Sequence, residues 1–206
     1  MDAGSRSTGA HEAVWRASLA YAALALLSAA LGLAVRGREL GTLSSPWLDL
    51  STSPFGVHGA SLAFGVVTGG ALVAVTRVLH GRFAWARRLS RDLQPLTRGL
   101  GGWHVVALAV LSSLGEELVF RALLQPWLGL VLTSALFGLA HQMRGPSRWY
   151  WVGWAALAGL VLGALFEATG SLAGPLAAHA IVNGLNLERL RHEPAEPDLS
   201  VKAARA

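Results

Sequence analysis

The sequence predicts an all-α fold: a polytopic membrane helix bundle of about six transmembrane helices, with both termini cytoplasmic. Three observations predict it. Of 206 residues, 53% are hydrophobic and 14% charged, and the mean hydropathy is +0.46, values foreign to an ordinary soluble domain. Six stretches without Asp, Glu, Lys or Arg approach the roughly 20 residues that a spanning helix needs. The basic residues gather on one side of those stretches, as they do in cytoplasmic loops.

The chain opens with a polar N-terminal tail, 1–16, expected to hold little fixed structure. The first span, 17–35, lies between Arg16 and Arg36 and is too long for the apolar region of a cleaved signal peptide, so it reads as a retained anchor. The second, 57–76, ends before Arg77. A basic loop follows, in which Phe83, Ala86, Leu89, Leu93 and Leu96 recur at helical spacing while Arg87, Arg88 and Arg91 take other faces. It reads either as an amphipathic helix on the membrane surface, interrupted at Pro95, or as a loop that only fixes orientation. The third span, 99–115, stops at Glu116 and Glu117; the fourth is 122–141, the fifth 149–166 and the sixth 171–187. A polar C-terminal tail covers 188–206. These parts group into N-terminal helices with their basic loop, 17–98, and a core, 99–187.

On this path fourteen Lys and Arg lie on the inner side and two, Arg36 and Arg38, on the outer. Arg121 falls within the membrane. The net charge of +5 sits between apolar stretches, so anionic lipids at the cytoplasmic face, and no nucleic acid, are the expected counter-charge. The absence of cysteine removes disulfides, thiolate metal sites and a Cys nucleophile. Gly65 with Gly69, and Gly159 with Gly163, stand one turn apart where helices could approach closely.

An ionisable side chain at bilayer depth costs about 2.5–3.5 kcal/mol, so Glu116, Glu117 and Arg121 demand a reason. Glu117 and Arg121 are four apart and can pair on one helix face. Glu116 points about 100° away and needs another partner. Candidates stand on other spans: His141, preceded four residues earlier by Phe137, and His179, followed four residues later by Asn183. A carboxylate, two imidazoles and an amide on three helices can meet only inside the bundle. Two histidines and a glutamate are also a zinc ligand set, although neither His11-Glu12 nor His192-Glu193 continues as HExxH.

In order, Glu116-Glu117-x-x-x-Arg121, Phe137-x-x-x-His141 and His179-x-x-x-Asn183 resemble the three motifs of the CPBP family, intramembrane endopeptidases related to CAAX prenyl proteases and bacteriocin-processing (Abi-type) proteins. The likeness covers about 116–183. It implies that Glu116 is the general base, that His141 helps hold the attacking water, and that His179 and Asn183 face the developing oxyanion. Glu117 and Arg121 would support them, and Phe137 would limit the rotamers of His141. Family members are often labelled metalloproteases; a cofactor-free glutamate mechanism is preferred here, with zinc on Glu116, His141 and His179 as the other possibility. The implied partner is a membrane-anchored protein or peptide substrate, possibly lipidated. The Ala-, Gly- and Arg-rich composition with a single lysine suggests a bacterial inner-membrane protein and ranks peptide processing above CAAX processing. A non-catalytic scaffold or immunity protein, and a proton-coupled transporter, are the competing classes, the latter disfavoured because no inverted repeat is visible.

One tension stands in these boundaries: Glu116 lies well inside its helix, whereas His141 ends span four at the cytoplasmic side. A broken third helix, or a fourth span continuing toward Gly145-Pro146, would bring them level; Gly174-Pro175 could bend the sixth. His58, His80 and His104 read as packed or interfacial, Glu167 as an outer cap, and Trp127, Trp149, Trp151, Trp154 and Tyr150 as interfacial aromatics, or as guides beside a cavity mouth.

Overall fold

The computed structural model describes residues 3–44, 46–97 and 99–193. It is an all-α membrane bundle: α1 Ala3–Arg36, α2 Gly56–Arg82, α3 Ala84–Leu93, α4 Gly102–Glu117, a π-helical stretch Leu118–Leu124, α5 Gln125–Ala140, α6 Arg148–Thr169 and α7 Ala173–His192. Among the described residues the only β-type pairing is an isolated bridge between Thr42 and Ser171. Leucines and valines face outward along α1, α2 and α5, the surface that a lipid-facing helix requires and a soluble one avoids.

Three expectations about boundaries need correction. The N-terminal tail is helical from Ala3, because nothing in 3–16 breaks the helix that the first span continues. The C-terminal tail begins late, α7 running through Glu188 to His192; positions 1, 2 and 194–206, with Lys202 and Arg205, lie outside the described residues, as does Arg98. The apolar reach of the last span also changes. Four helical segments are long and apolar enough to cross a bilayer: Trp15–Arg36, Gly56–Arg82, Gly102–Ala140 and Arg148–Thr169. The last helix, α7, falls short because Glu188, Arg189 and Arg191 occupy its final turns.

The predicted third and fourth spans are one helical run that passes through Glu116, Glu117 and Arg121 unbroken. Charges do not stop a helix when partners receive them. The run bends instead at Gly129, whose φ of 72° is a left-handed conformation that L side chains avoid. From there α5 returns antiparallel to α6, with Leu130 near Gly163 and Gly138 against Val152 and Ala156. This resolves the depth tension. At about 1.5 Å per residue, Glu116 lies about 20 Å before the bend and His141 about 18 Å after it, so they stand nearly level.

Glycine decides the contact between α2 and α7. A Cβ on Gly65 would collide with the backbone of Gly174, and one on Gly69 would lie 2.9 Å from Ala178 O. Gly70, next on the same helix, has nothing within 4 Å. Gly65→Leu is therefore expected to cost about 1–3 kcal/mol, seen as a lower Tm in detergent, whereas Gly70→Ala should leave Tm unchanged or raise it. An unchanged Tm for Gly65→Leu would contradict this helix contact.

The segment between α1 and α2 covers the turn between α6 and α7. Leu43 N donates to Gly170 O at 3.1 Å, Trp47 N to Glu167 O at 3.0 Å and Leu172 N to Gly41 O at 2.8 Å. Beneath it, Ser61, Thr169 and Ser171 form a buried hydroxyl network that His58 joins through Ser171 Oγ at 2.8 Å. At the arginine-rich end, α3 does not lay its apolar face on a membrane surface. Ala86 and Leu89 are buried, and with Ser90 and Leu93 they face a cavity inside the bundle. Phe83 and Leu96, read as part of the same stripe, are exposed. Polar contacts fasten α3: Ser90 Oγ meets His80 Nδ1 at 3.1 Å and Arg189 Nη2 at 2.9 Å, and Glu193 Oε1 lies 3.4 Å from His80 Nε2. His104 accepts from Gly101 N at 3.1 Å, so His58, His80 and His104 all hold packed or capping contacts.

Candidate active site

Four helices deliver the polar side chains. The last turn of α4 carries Glu116 and Glu117, and the π-helical stretch after it carries Arg121. Insertions of this kind shift helix register and are frequent at functional sites. His141 caps α5, while His179 and Asn183 share one face of α7.

Glu117 is fully buried and Arg121 is 1% exposed, and Arg121 Nε lies 3.2 Å from Glu117 Oε2. That contact is an ion pair rather than an aligned hydrogen bond, for neither atom has a hydrogen-bond partner. Arg121 is held from two further sides: Nη2 donates to Gly159 O at 2.9 Å, and the guanidinium sits 4.5 Å from the Phe137 ring. The other oxygen of Glu117, Oε1, is 2.7 Å from His179 Nδ1. One buried carboxylate thus serves an arginine and an imidazole together, which the i,i+4 spacing alone does not reveal.

Glu116 faces the other way, as the helical angle requires. Its Oε2 lies 3.5 Å from His141 Nε2 and 3.7 Å from His179 Nε2, and has no hydrogen-bond partner among the described residues. His141 Nδ1 pairs with Phe137 O at 2.8 Å. Phe137 packs 4.5 Å from the ring of His141 and 5.8 Å from that of His179, filling the space beneath both. Asn183 Nδ2 donates to Ser112 Oγ at 3.1 Å. Glu116, His141, His179 and Asn183 all line one cavity of about 630 Å³, whose walls are largely apolar and which extends to α3.

Residues absent from the sequence motifs belong to this neighbourhood. Tyr21 of α1 lines the cavity together with Glu116. Ser112 orients Asn183. Gln125 bonds Gly163 O at 3.0 Å and Glu167 Oε1 at 3.1 Å, so Glu167 has a protein partner in addition to its place at the outer end. Trp127 and Trp149 are exposed, as interfacial residues are, whereas Trp151 and Trp154 line the cavity and Trp151 meets His141 at 5.6 Å. Tyr150 stacks on Trp85 of α3 at 5.1 Å.

The donors are chemically suited to zinc. Bonds of about 2.1 Å at tetrahedral angles set ligand atoms about 3.4 Å apart, close to the two distances from Glu116 Oε2. The set does not close on one point, however: among the described residues no three His, Asp or Glu side chains are grouped to hold a metal ion. What the arrangement presents as it stands is a carboxylate oxygen between two ring nitrogens, in a buried and largely apolar recess.

The family model for Rce1-like proteins, the type II CAAX prenyl endopeptidases, matches residues 99–185. Over 95 residues the chain is 32% identical to the uncharacterized protein YpbD of Bacillus subtilis (strain 168), covering 46% of this chain and 50% of that protein. It therefore spans about half the length of this curated relative. No solved structure matches. The matched segment carries all three motifs and Ser112, and over it the chain is similar to the Rce1-like family of type II CAAX prenyl endopeptidases.

Proposed function

We propose that this protein is an intramembrane endopeptidase in which Glu116 takes a proton from water as the water attacks a peptide carbonyl. One observation carries the reading: Nε2 of His141 and Nε2 of His179 both face Glu116 Oε2, at 3.5 and 3.7 Å, within an apolar cavity. Each imidazole has its Nδ1 engaged, by Phe137 O or by Glu117 Oε1, so in the neutral form Nε2 offers its lone pair to the cavity. A water held there gives one hydrogen to Glu116 and the other to His141 Nε2.

Attack joins the water oxygen to the carbonyl carbon, and the water proton passes to Glu116. The carbonyl oxygen becomes an oxyanion, to which the Asn183 amide donates, with the ring of His179 beside it. Collapse breaks the C–N bond, and Glu116 returns its proton to the leaving amine. Fixed donors in a dry site stabilise such charge better than water does, because they need no reorganisation. Glu117 and Arg121 hold His179 in place, and Phe137 restricts both rings. None of these steps draws on a metal.

The substrate in this reading is a membrane-associated protein or peptide, possibly lipidated, met in a bacterial inner membrane with anionic lipid beside the arginines of α3. Terminal peptidomics on host membranes tests it, comparing wild type with Glu116→Gln at matched expression, each with and without a permeant zinc chelator. New termini are expected with wild type alone and with chelator present. Identical profiles for the two proteins would replace the hydrolase reading with a scaffold or immunity role, and chelator-sensitive termini would replace the glutamate mechanism with zinc.

A further inference from the structure

The polar face of α7 continues past Asn183. His179, Asn183 and Asn186 follow one another at spacings of four and three, so Asn186 stands two turns beyond His179 and about 20° from it around the axis. All three line the same cavity, and the arm of it that runs on toward α3 is lined by Leu89 and Leu93 of α3 and Leu187 and Leu190 of α7. The neighbours in this polar row have partners in the protein. His179 Nδ1 meets Glu117 Oε1 at 2.7 Å, Asn183 Nδ2 donates to Ser112 Oγ at 3.1 Å, and Arg189, one turn further on, donates through Nη2 to Ser90 Oγ at 2.9 Å. Asn186 Oδ1 is buried and has no hydrogen-bond partner among the described residues.

A buried amide oxygen without a donor destabilises the protein that carries it, and an apolar side chain of the same shape would remove that cost. An extended peptide in this arm has the complementary need: its backbone N–H groups have left water, and leucine walls offer them no acceptor. We infer that Asn186 is a substrate-binding residue whose Oδ1 accepts one backbone N–H of the peptide, within about three residues of the scissile bond. The reach follows from the helix. Asn186 lies about 4.5 Å beyond Asn183 and about 10.5 Å beyond His179 along the axis, and an extended chain advances about 3.3 Å per residue. The last torsion of an asparagine is broad, so the amide turns to meet the donor. The inference rests on the hydrolase reading and adds to it a subsite for the peptide backbone.

Asn186→Leu is the variant to make, because leucine has the branching of asparagine without its polar atoms. On a quenched fluorescent reporter peptide carrying a cleavage site found by the peptidomics, KM is expected to rise about five-fold, the worth of one neutral hydrogen bond, with kcat within about two-fold. Tm should equal or exceed that of wild type, since an unpaired buried oxygen is gone. A Tm lower by more than about 2 °C would show that the amide holds the fold, and a KM within about two-fold of wild type that it binds no substrate; either overturns the inference. Backbone esters identify the donor. Reporter peptides in which one amide within about three residues of the cleavage site is replaced by an ester each lack one N–H, and their binding is measured on Glu116→Gln to avoid cleavage. One of them should bind about five-fold more weakly than the parent peptide, and match the parent within about two-fold once Asn186→Leu is added. Equal losses in both backgrounds, or no loss at any position, would sink the proposal. If no host peptide is cleaved, the hydrolase reading fails and takes this inference with it, whereas failure of the inference alone shows as cleavage with an unmoved KM.

Discussion

Glu116→Gln is expected to reduce turnover by about 10²–10⁴-fold, the range contributed by a positioned general base, with Tm and substrate affinity close to wild type. The amide is nearly the size of the carboxylate, so the packing of α1 on α4 survives. What it loses is the capacity to accept a water proton. Single-turnover assays with the reporter peptide, together with binding of the uncleaved peptide, separate the two quantities. Residual turnover within about ten-fold of wild type would exclude Glu116 as the base.

Glu117→Ala is expected to be the most destabilising single change in the site, by about 3–5 kcal/mol. It leaves Arg121 1% exposed with Gly159 O and the Phe137 ring for company, while Nε and Nη1 already lack hydrogen-bond partners. It also frees His179 Nδ1. Replacing the pair together, Glu117→Leu with Arg121→Met, removes the stranded charge and should restore much of the lost Tm. Activity should not return, since His179 still lacks its anchor. Thermal unfolding in detergent reads the first effect and peptide cleavage the second. Recovery of both in the double variant would show that Glu117 serves only the arginine.

What could be read in advance follows from the range of the forces involved. The Glu117–Arg121 pair lies within one helix, so spacing alone places the two side chains on one face. The convergence of His141 and His179 on Glu116 is long-range, and it became legible only because polar side chains in three apolar stretches have nowhere else to go. Charge interruptions misled the segmentation: Glu116 and Glu117 looked like a helix end, yet partners on α5, α6 and α7 keep the helix running. Gly129, hidden in an unbroken apolar run, marks the true bend, and a lone glycine among 24 carries no label of its φ. The stripe of α3 was visible by periodicity, but what it faces depends on how α2, α4 and α7 leave room.

The bend at Gly129 has a consequence for hydration. Because α5 starts its return at the bend and stops at Ala140, residues 141–147 must cover as coil the depth that a longer helix would have crossed. Coil leaves amides and carbonyls without the partners that a helix supplies, and hydrocarbon offers none, so that stretch has to be wetted or covered by protein. Gln142, Arg144, Gly145 and Pro146 are exposed, and the bilayer beside them must admit water or lipid headgroups down to the level of His141. A helix cut short in this way is an inlet: in the proposed hydrolysis, water would reach Glu116 along the chain that holds His141.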